Sequence, residues 1–160
     1  MAVEAVVGDV AQGMEAAIDQ MEADPEVWVG VVTANTEGQE RPVFCAGADL
    51  KAINSGQGGS LGTRKGGFAG FVYRERTKPV IVAVDGLATA GGCEIVLSTD
   101  LVVASTRSAF GLAEVLRNLV AGAVALFPAV VVAVLVETHL ISLFPRKLGC
   151  QGIGPCKNQD

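Results

Sequence analysis

Two small-residue stretches, Ala46-Gly47-Ala48 and Ala90-Gly91-Gly92, and two carboxylates, Glu94 and Glu114, are the groups in this chain whose types and spacing could do chemistry. Each stretch is expected to follow a strand and precede a helix, a bend that leaves backbone N–H groups without intrahelical partners. Residues without bulky side chains let a ligand oxygen reach such donors. Two bends on adjacent strands aimed at one oxygen make an oxyanion hole, where losing one donor typically costs about 2.7–4 kcal/mol of transition-state stabilisation. The Ala48 and Gly91 amides are the expected donors. Glu94 falls in the first helical turn after Gly91, beside this hole. A helix from Gly91 to about Ser98 climbs roughly 12 Å, and a strand over residues 100–105 runs back about as far. Glu114 thereby has a route to Glu94, although spacing does not fix the meeting. Two carboxylates in one enclosed site acquire separated pKa values, so that one holds a proton while the other accepts one. That division suits addition of water.

Taken singly, each feature has an ordinary explanation. Gly91-Gly92 could serve tight helix–sheet packing alone, and both glutamates could be solvated charges. A strand, a small-residue bend and a helix occurring twice, with two glutamates placed to meet beside them, favours the functional reading.

The elements that must position these groups follow from periodicity. Val10, Met14, Ala17, Ile18 and Met21 recur at helical spacing with acidic residues between them, which predicts an amphipathic helix over residues 10–23. VWVGVVTA (27–34) reads as a buried strand, with Trp28 expected in the core. VFCAGADLKAI (43–53) begins as a strand, breaks at Gly47 and enters a helix with Asp49 in its first turn. Residues 56–70 hold seven glycines in fifteen positions and read as a mobile loop, a lid or a linker; no G-K-[ST] or dinucleotide fingerprint occurs there. FAGFVYRERT (68–77) suggests a short helix, KPVIVAVDG (78–86) a strand, GGCEIVLSTD a helix, DLVVAS (100–105) a strand, and SAFGLAEVLRN (108–118) a return toward helix. Alternating strands and helices with short connections predict an α/β domain with a largely parallel sheet.

In their order and spacing, VFCAGADLKAI, KPVIVAVDG, GGCEIVLSTDLVVAS and SAFGLAEV resemble the crotonase superfamily, the enoyl-CoA hydratase and isomerase enzymes, over about residues 9–122. The resemblance implies an α/β spiral of ββα units with two stacked sheet layers, assembled as homo-trimers or pairs of trimers, and an acyl-CoA substrate. Coenzyme A would enter as part of that substrate, with no separate cofactor and no metal. Carried over by position, the oxyanion-hole donors are Ala48 and Gly91, and the two hydratase glutamates are Glu94 and Glu114. In the mechanism this implies, Glu94 orients the water as base, and Glu114 supplies the proton that reaches the α-carbon. Ala46, Asp49, Leu50, Leu87 and Thr89 are implied pocket-lining positions, with the Gly-rich segment near the acyl chain. An isomerase would need one glutamate only; a non-catalytic remnant would need neither.

The rest of the chain departs from that pattern. The family's strands and basic CoA segment before the first helix have no counterpart here, and Ala113 stands where a proline is expected. The chain divides into a crotonase-like core over residues 1–122 and an atypical apolar tail over 123–160, without the usual C-terminal helical trimerisation region. A frameshift or an otherwise altered C-terminus is the preferred account of the tail. Leu119 to Val136 is an uncharged run of eighteen residues, at the lower limit for a membrane span. Pro128 and the surrounding valines make a strand or an aggregation-prone tail equally consistent, so membrane contact is the lesser expectation.

Half of the residues are hydrophobic and 18% charged, which argues against disorder and for a buried sheet or helix layer. The net charge of −5 is spread along the chain with no basic stripe, which argues against nucleic acid as a partner. MAVEAVVGDV lacks the basic and long apolar regions of a signal peptide, so the expected location is the cytoplasm. Cys150 and Cys156 are too few ligands for a structural zinc site, and Cys93 reads as a small buried hydrophobe rather than a nucleophile.

Overall fold

The structure, a computed structural model, describes residues 5–112 and, for the backbone, residues 134–136. Strands β1 (Gly30–Thr33), β5 (Val80–Val84), β7 (Leu101–Ala104) and β9 (Val134–Val136) lie side by side in that order, all parallel. Strands β2 (Val43–Cys45), β6 (Leu87–Thr89) and β8 (Ala109–Gly111) form a second parallel sheet in the same chain order. Each pass of the chain therefore gives one strand to each sheet. Two of these passes end in a helix, α2 (Leu50–Asn54) or α3 (Gly91–Leu97). Parallel neighbours cannot be joined by a tight hairpin. Here the other sheet's strand and the helix make the crossover, and the result is an incomplete crotonase-like spiral of ββα units.

Burial follows the period-2 alternation of strands. Val80, Val82 and Val84 of β5 point into the core with Val102 and Ala104 of β7, while Ile81 and Ala83 are half-buried. The corners between the sheets are tied by one carboxylate. Asp85, between β5 and β6, accepts hydrogen bonds from Thr36 Oγ1 (2.7 Å), Ser105 Oγ (2.7 Å) and Arg107 Nε and Nη2 (3.0 and 2.6 Å). Thr36 follows β1, and Ser105 and Arg107 follow β7, so Asp85 joins the equivalent corners of three successive passes.

Helix α1 (Gly8–Ala23) begins two residues before the predicted start and ends as expected, with Asp24 already extended ahead of Pro25. Its buried stripe is Ala11, Ile18 and Met21, with Met14 packed alongside; Val10 and Ala17, assigned to that face by spacing, are exposed. The acidic residues between them are partnered. Glu15 accepts from Thr63 Oγ1, Asp19 from Lys65 Nζ (2.6 Å) and Arg74 Nη2, and Glu22 from the Thr77 and Lys78 amides (3.0 and 3.1 Å). One row of carboxylates on α1 therefore fastens the chain from residue 63 to 78.

Several expectations are corrected. Residues 56–70 contain a 3₁₀ turn (Gly58–Leu61) and a small antiparallel hairpin of β3 (Gly62–Thr63) and β4 (Gly67–Phe68), not an unstructured loop. The helix expected over residues 68–77 is absent; positive φ angles at Ala69 (56°) and Gly70 (66°) break it, and residues 69–73 form turns. Trp28 is 81% exposed, because only Gly30–Thr33 of the predicted strand pairs and β1 is a sheet edge. β6 was not anticipated, and residues 109–111 are strand rather than helix. Asp49 caps α2 from outside, its carboxylate accepting from the Lys51 amide (2.8 Å). Cys93 is buried as expected. Glu114, Ala113 and the tail apart from β9 lie outside the described residues. Among the described residues no helix is long and apolar enough to cross a membrane.

The Asp85 cluster has a pH consequence. Arg107 first, then the Ser105 and Thr36 hydroxyls, hold the Asp85 carboxyl well below the usual aspartate range despite partial desolvation. A depressed folded-state pKa gives stability that is complete above the unfolded-state value of about 3.9 and is lost as pH falls toward the folded-state value. Asp85→Asn is expected to lower unfolding free energy by about 1–2 kcal/mol at pH 7. In urea titrations repeated at lower pH, the gap between the two proteins should narrow below about pH 4.

Candidate active site

The two small-residue bends meet because their strands are neighbours. β2 pairs with β6, Val43 opposite Leu87 and Cys45 opposite Ala88, so β2 carries one extra residue, Phe44, in a bulge. Such bulges re-aim a strand end. The bends emerge beyond this pair, and a Cβ placed on Gly47 would lie 2.9 Å from the Gly91 nitrogen and 3.1 Å from the Ala90 Cβ. Gly47 also has φ +94°, a conformation that side-chain-bearing residues rarely adopt. Both space and backbone therefore require glycine there.

Val6 orients the first bend. Its N–H donates to the Gly47 carbonyl (2.8 Å), and its carbonyl accepts from the Asp49 amide (3.1 Å), bracketing Ala48 in a parallel bridge. Because successive N–H groups of extended chain point to opposite sides, the Ala48 amide is directed away from Val6. Among the described residues, neither the Ala48 nor the Gly91 amide has an acceptor.

The second bend is clamped harder. Ala90 sits at φ 52°, ψ −132°, the region taken by the first central residue of a type II′ turn and normally occupied by glycine. Its amide donates to the Gly111 carbonyl (2.9 Å), and its carbonyl accepts from the Cys93 and Glu94 amides (2.9 and 3.1 Å). Bonds on both sides hold a conformation that costs on the order of 1–3 kcal/mol. Thr89 Oγ1 donates to the same Gly111 carbonyl (3.1 Å), so β8 supports the bend through one oxygen. At Gly92 the limit is space alone, since a Cβ would fall 2.2 Å from the Cys45 carbonyl oxygen.

Glu94 stands in the first turn of α3, 4% exposed, three residues after Gly91 and so on the same face. That face also meets Phe68, whose ring edge would lie 2.5 Å from a Cβ on Gly91. Phe68, at the end of the β3–β4 hairpin, is the residue sequence reasoning missed; the available signal was one aromatic side chain in a Gly-rich segment. Ala46 is half-buried in the first bend, Leu50 (60% exposed) opens α2 just after it, and Leu87 (39% exposed) begins β6 opposite Val43, at the other end of β2 from the bend. Asp49 and Thr89 spend their side chains on the helix cap and the Gly111 tie.

The family model described as enoyl-CoA hydratase/isomerase matches residues 2–134. The chain is 39% identical over 102 residues to a mevalonyl-coenzyme A hydratase of Aspergillus fumigatus, covering 62% of this chain and 36% of that protein. It is 38% identical over 92 residues to a carnitinyl-CoA dehydratase of Proteus mirabilis, covering 57% of this chain and 34% of that one. Its structure resembles the crystal structure of a carnitinyl-CoA hydratase from Mycobacterium avium with a TM-score of 0.67 and 44% identity, over 74% of this chain and 44% of the other. The chain thus spans little more than a third of the length of these curated relatives.

Two substitutions separate the reasons for small residues at the second bend. Ala90→Gly removes strain but loosens the unfolded chain, and the two effects should cancel to within about 1 kcal/mol. Gly92→Ala must push α3 off the β2 backbone and should destabilise by about 1–3 kcal/mol. Denaturant midpoints of the two variants measure both.

Proposed function

This chain belongs to the enoyl-CoA hydratase/isomerase family, and from that premise we propose that it adds water across the double bond of a trans-2-enoyl-CoA. The observation that carries the reading is the contact between the Gly47 and Gly91 bends, with Glu94 buried on the Gly91 face. The thioester carbonyl is held by the Ala48 and Gly91 amides. Attack of water on the β-carbon pushes charge onto that oxygen, and donors fixed in advance stabilise it as it forms. Glu94 orients the water and takes its proton, and Glu114 delivers a proton to the α-carbon, giving syn addition. Coenzyme A takes part only as the substrate's carrier.

Ala46, Leu50 and Leu87 line the approach to the carbonyl in this proposal, with Phe68 closing the Gly91 side. Relatives named for hydration and for dehydration support one reaction run in either direction, since a catalyst lowers the same barrier both ways. The assembly proposed is a homo-oligomer, a trimer or a pair of trimers, which light scattering would detect.

Hydration of a four-carbon trans-2-enoyl-CoA, followed by loss of the conjugated thioester absorbance, tests the proposal. Glu94→Gln and Glu114→Gln are each expected to lower kcat by about 10²–10⁴-fold. Full activity of Glu94→Gln in double-bond migration, with no hydration, would move the assignment to an isomerase.

A further inference from the structure

We propose that Cys45 is a positioning residue for the oxyanion hole, its thiol sulfur holding the first bend in the shape that presents the Ala48 amide. The inference rests on the hydratase reading of the site and adds to it a residue outside the reacting groups. Cys45 is the last residue of β2 and is buried. Its Sγ accepts a hydrogen bond from the Gly47 amide at 3.4 Å. A side-chain acceptor bonded to the amide two residues on is the geometry by which serine, threonine and asparagine shape turns. Sulfur is a weaker acceptor with a longer reach.

Three further observations place Cys45 at the junction of both bends. The bulge between Val43 and Cys45 sets the direction in which β2 delivers it. Its carbonyl oxygen and Cβ would lie 2.2 and 2.8 Å from a Cβ on Gly92, so its backbone packs directly on the start of α3. The amide it holds belongs to Gly47, the residue at φ +94° that touches Gly91. Val6 fixes the Gly47 carbonyl from one side, and Cys45 fixes the Gly47 amide from the other. The Ala48 amide shares its planar peptide with the Gly47 carbonyl that Val6 holds, and tethering the preceding peptide through Cys45 fixes the dihedrals of Gly47 that set the direction of that plane relative to β2. The Cys45 backbone sets the spacing to α3, and its sulfur sets the angle of the bend.

An acceptor that acts through donor alignment affects the transition state more than substrate binding. Cys45→Val removes the acceptor while adding one branch at the β-carbon, whereas Cys45→Ser restores an acceptor with slightly less bulk. In enoyl-CoA hydration, Cys45→Val is expected to lose about tenfold to a hundredfold in kcat with KM changed less than about threefold. Cys45→Ser should retain kcat to within about threefold of the unsubstituted chain. Nitrogen-15 spectra should show the Gly47 and Ala48 amides displaced in Cys45→Val and near their original positions in Cys45→Ser. Undiminished kcat in Cys45→Val, or a Ser variant as impaired as the Val variant, overturns the proposal in favour of simple packing. Should neither variant fold, hydrogen exchange in the unsubstituted chain decides: a protected Gly47 amide supports the bond and a freely exchanging one overturns it. Absence of turnover by the unsubstituted chain counts against the hydratase reading alone, because the amide measurements still judge Cys45.

Discussion

Two backbone bends packed against each other with no side chain between them are the constraint on which the rest of this molecule depends. The Gly47 and Gly91 backbones are close enough that a single methyl group on Gly47 would meet the Gly91 nitrogen at 2.9 Å. Contact of that kind cannot be made by loops alone, because each bend pays conformational entropy to be held. It requires β2 and β6 to be hydrogen-bonded neighbours, Val6 to bracket Ala48, and Gly111 to grip Ala90. The strained dihedrals of Ala90 persist because bonds on either side leave no alternative.

The spiral supplies those neighbours by repetition. Each pass contributes one strand to each sheet, so the ends of β2, β6 and β8 accumulate at one place while β1, β5, β7 and β9 build the other sheet. Apolar alternation holds the sheet interiors together, but it does not fix where one sheet hands the chain to the next. Charge does that work here. Asp85 gathers hydroxyls and a guanidinium from the two corners beside its own, and the acidic row of α1 anchors the β3–β4 hairpin, which carries Phe68 to Gly91. The Arg76 guanidinium lies 4.6 Å over the Phe71 ring and donates to the Ser98 carbonyl (2.6 Å), tying the chain after the hairpin to the end of α3. Polar groups at corners and apolar groups within layers thus have separate duties.

Much of this was legible in the residues. The valine-rich strands, the end of α1 at Asp24-Pro25 and the two small-residue bends could be read because each rests on local rules: period, breakers and steric size. The Gly-rich segment is harder to read because glycine signals freedom of dihedrals, and a hairpin with a positive φ at Gly67 uses that freedom as readily as a mobile loop does. Trp28 was misplaced because hydrophobicity states a preference for burial, whereas exposure at a sheet edge depends on which strand pairs where. The partners of Asp85 and of the α1 carboxylates lie 20 to 56 residues away, beyond any local pattern.

By itself the sequence determined helix α1, the valine-rich strands, the order of the bends and the chemistry each bend offers, since those depend on neighbours along the chain. The tertiary structure decided that the bends touch, that Glu94 shares their face, and that Phe68 and Cys45 belong to the same neighbourhood. The physical reason is register: a spiral brings residues together by strand pairing, and pairing is a property of the whole sheet rather than of any segment within it.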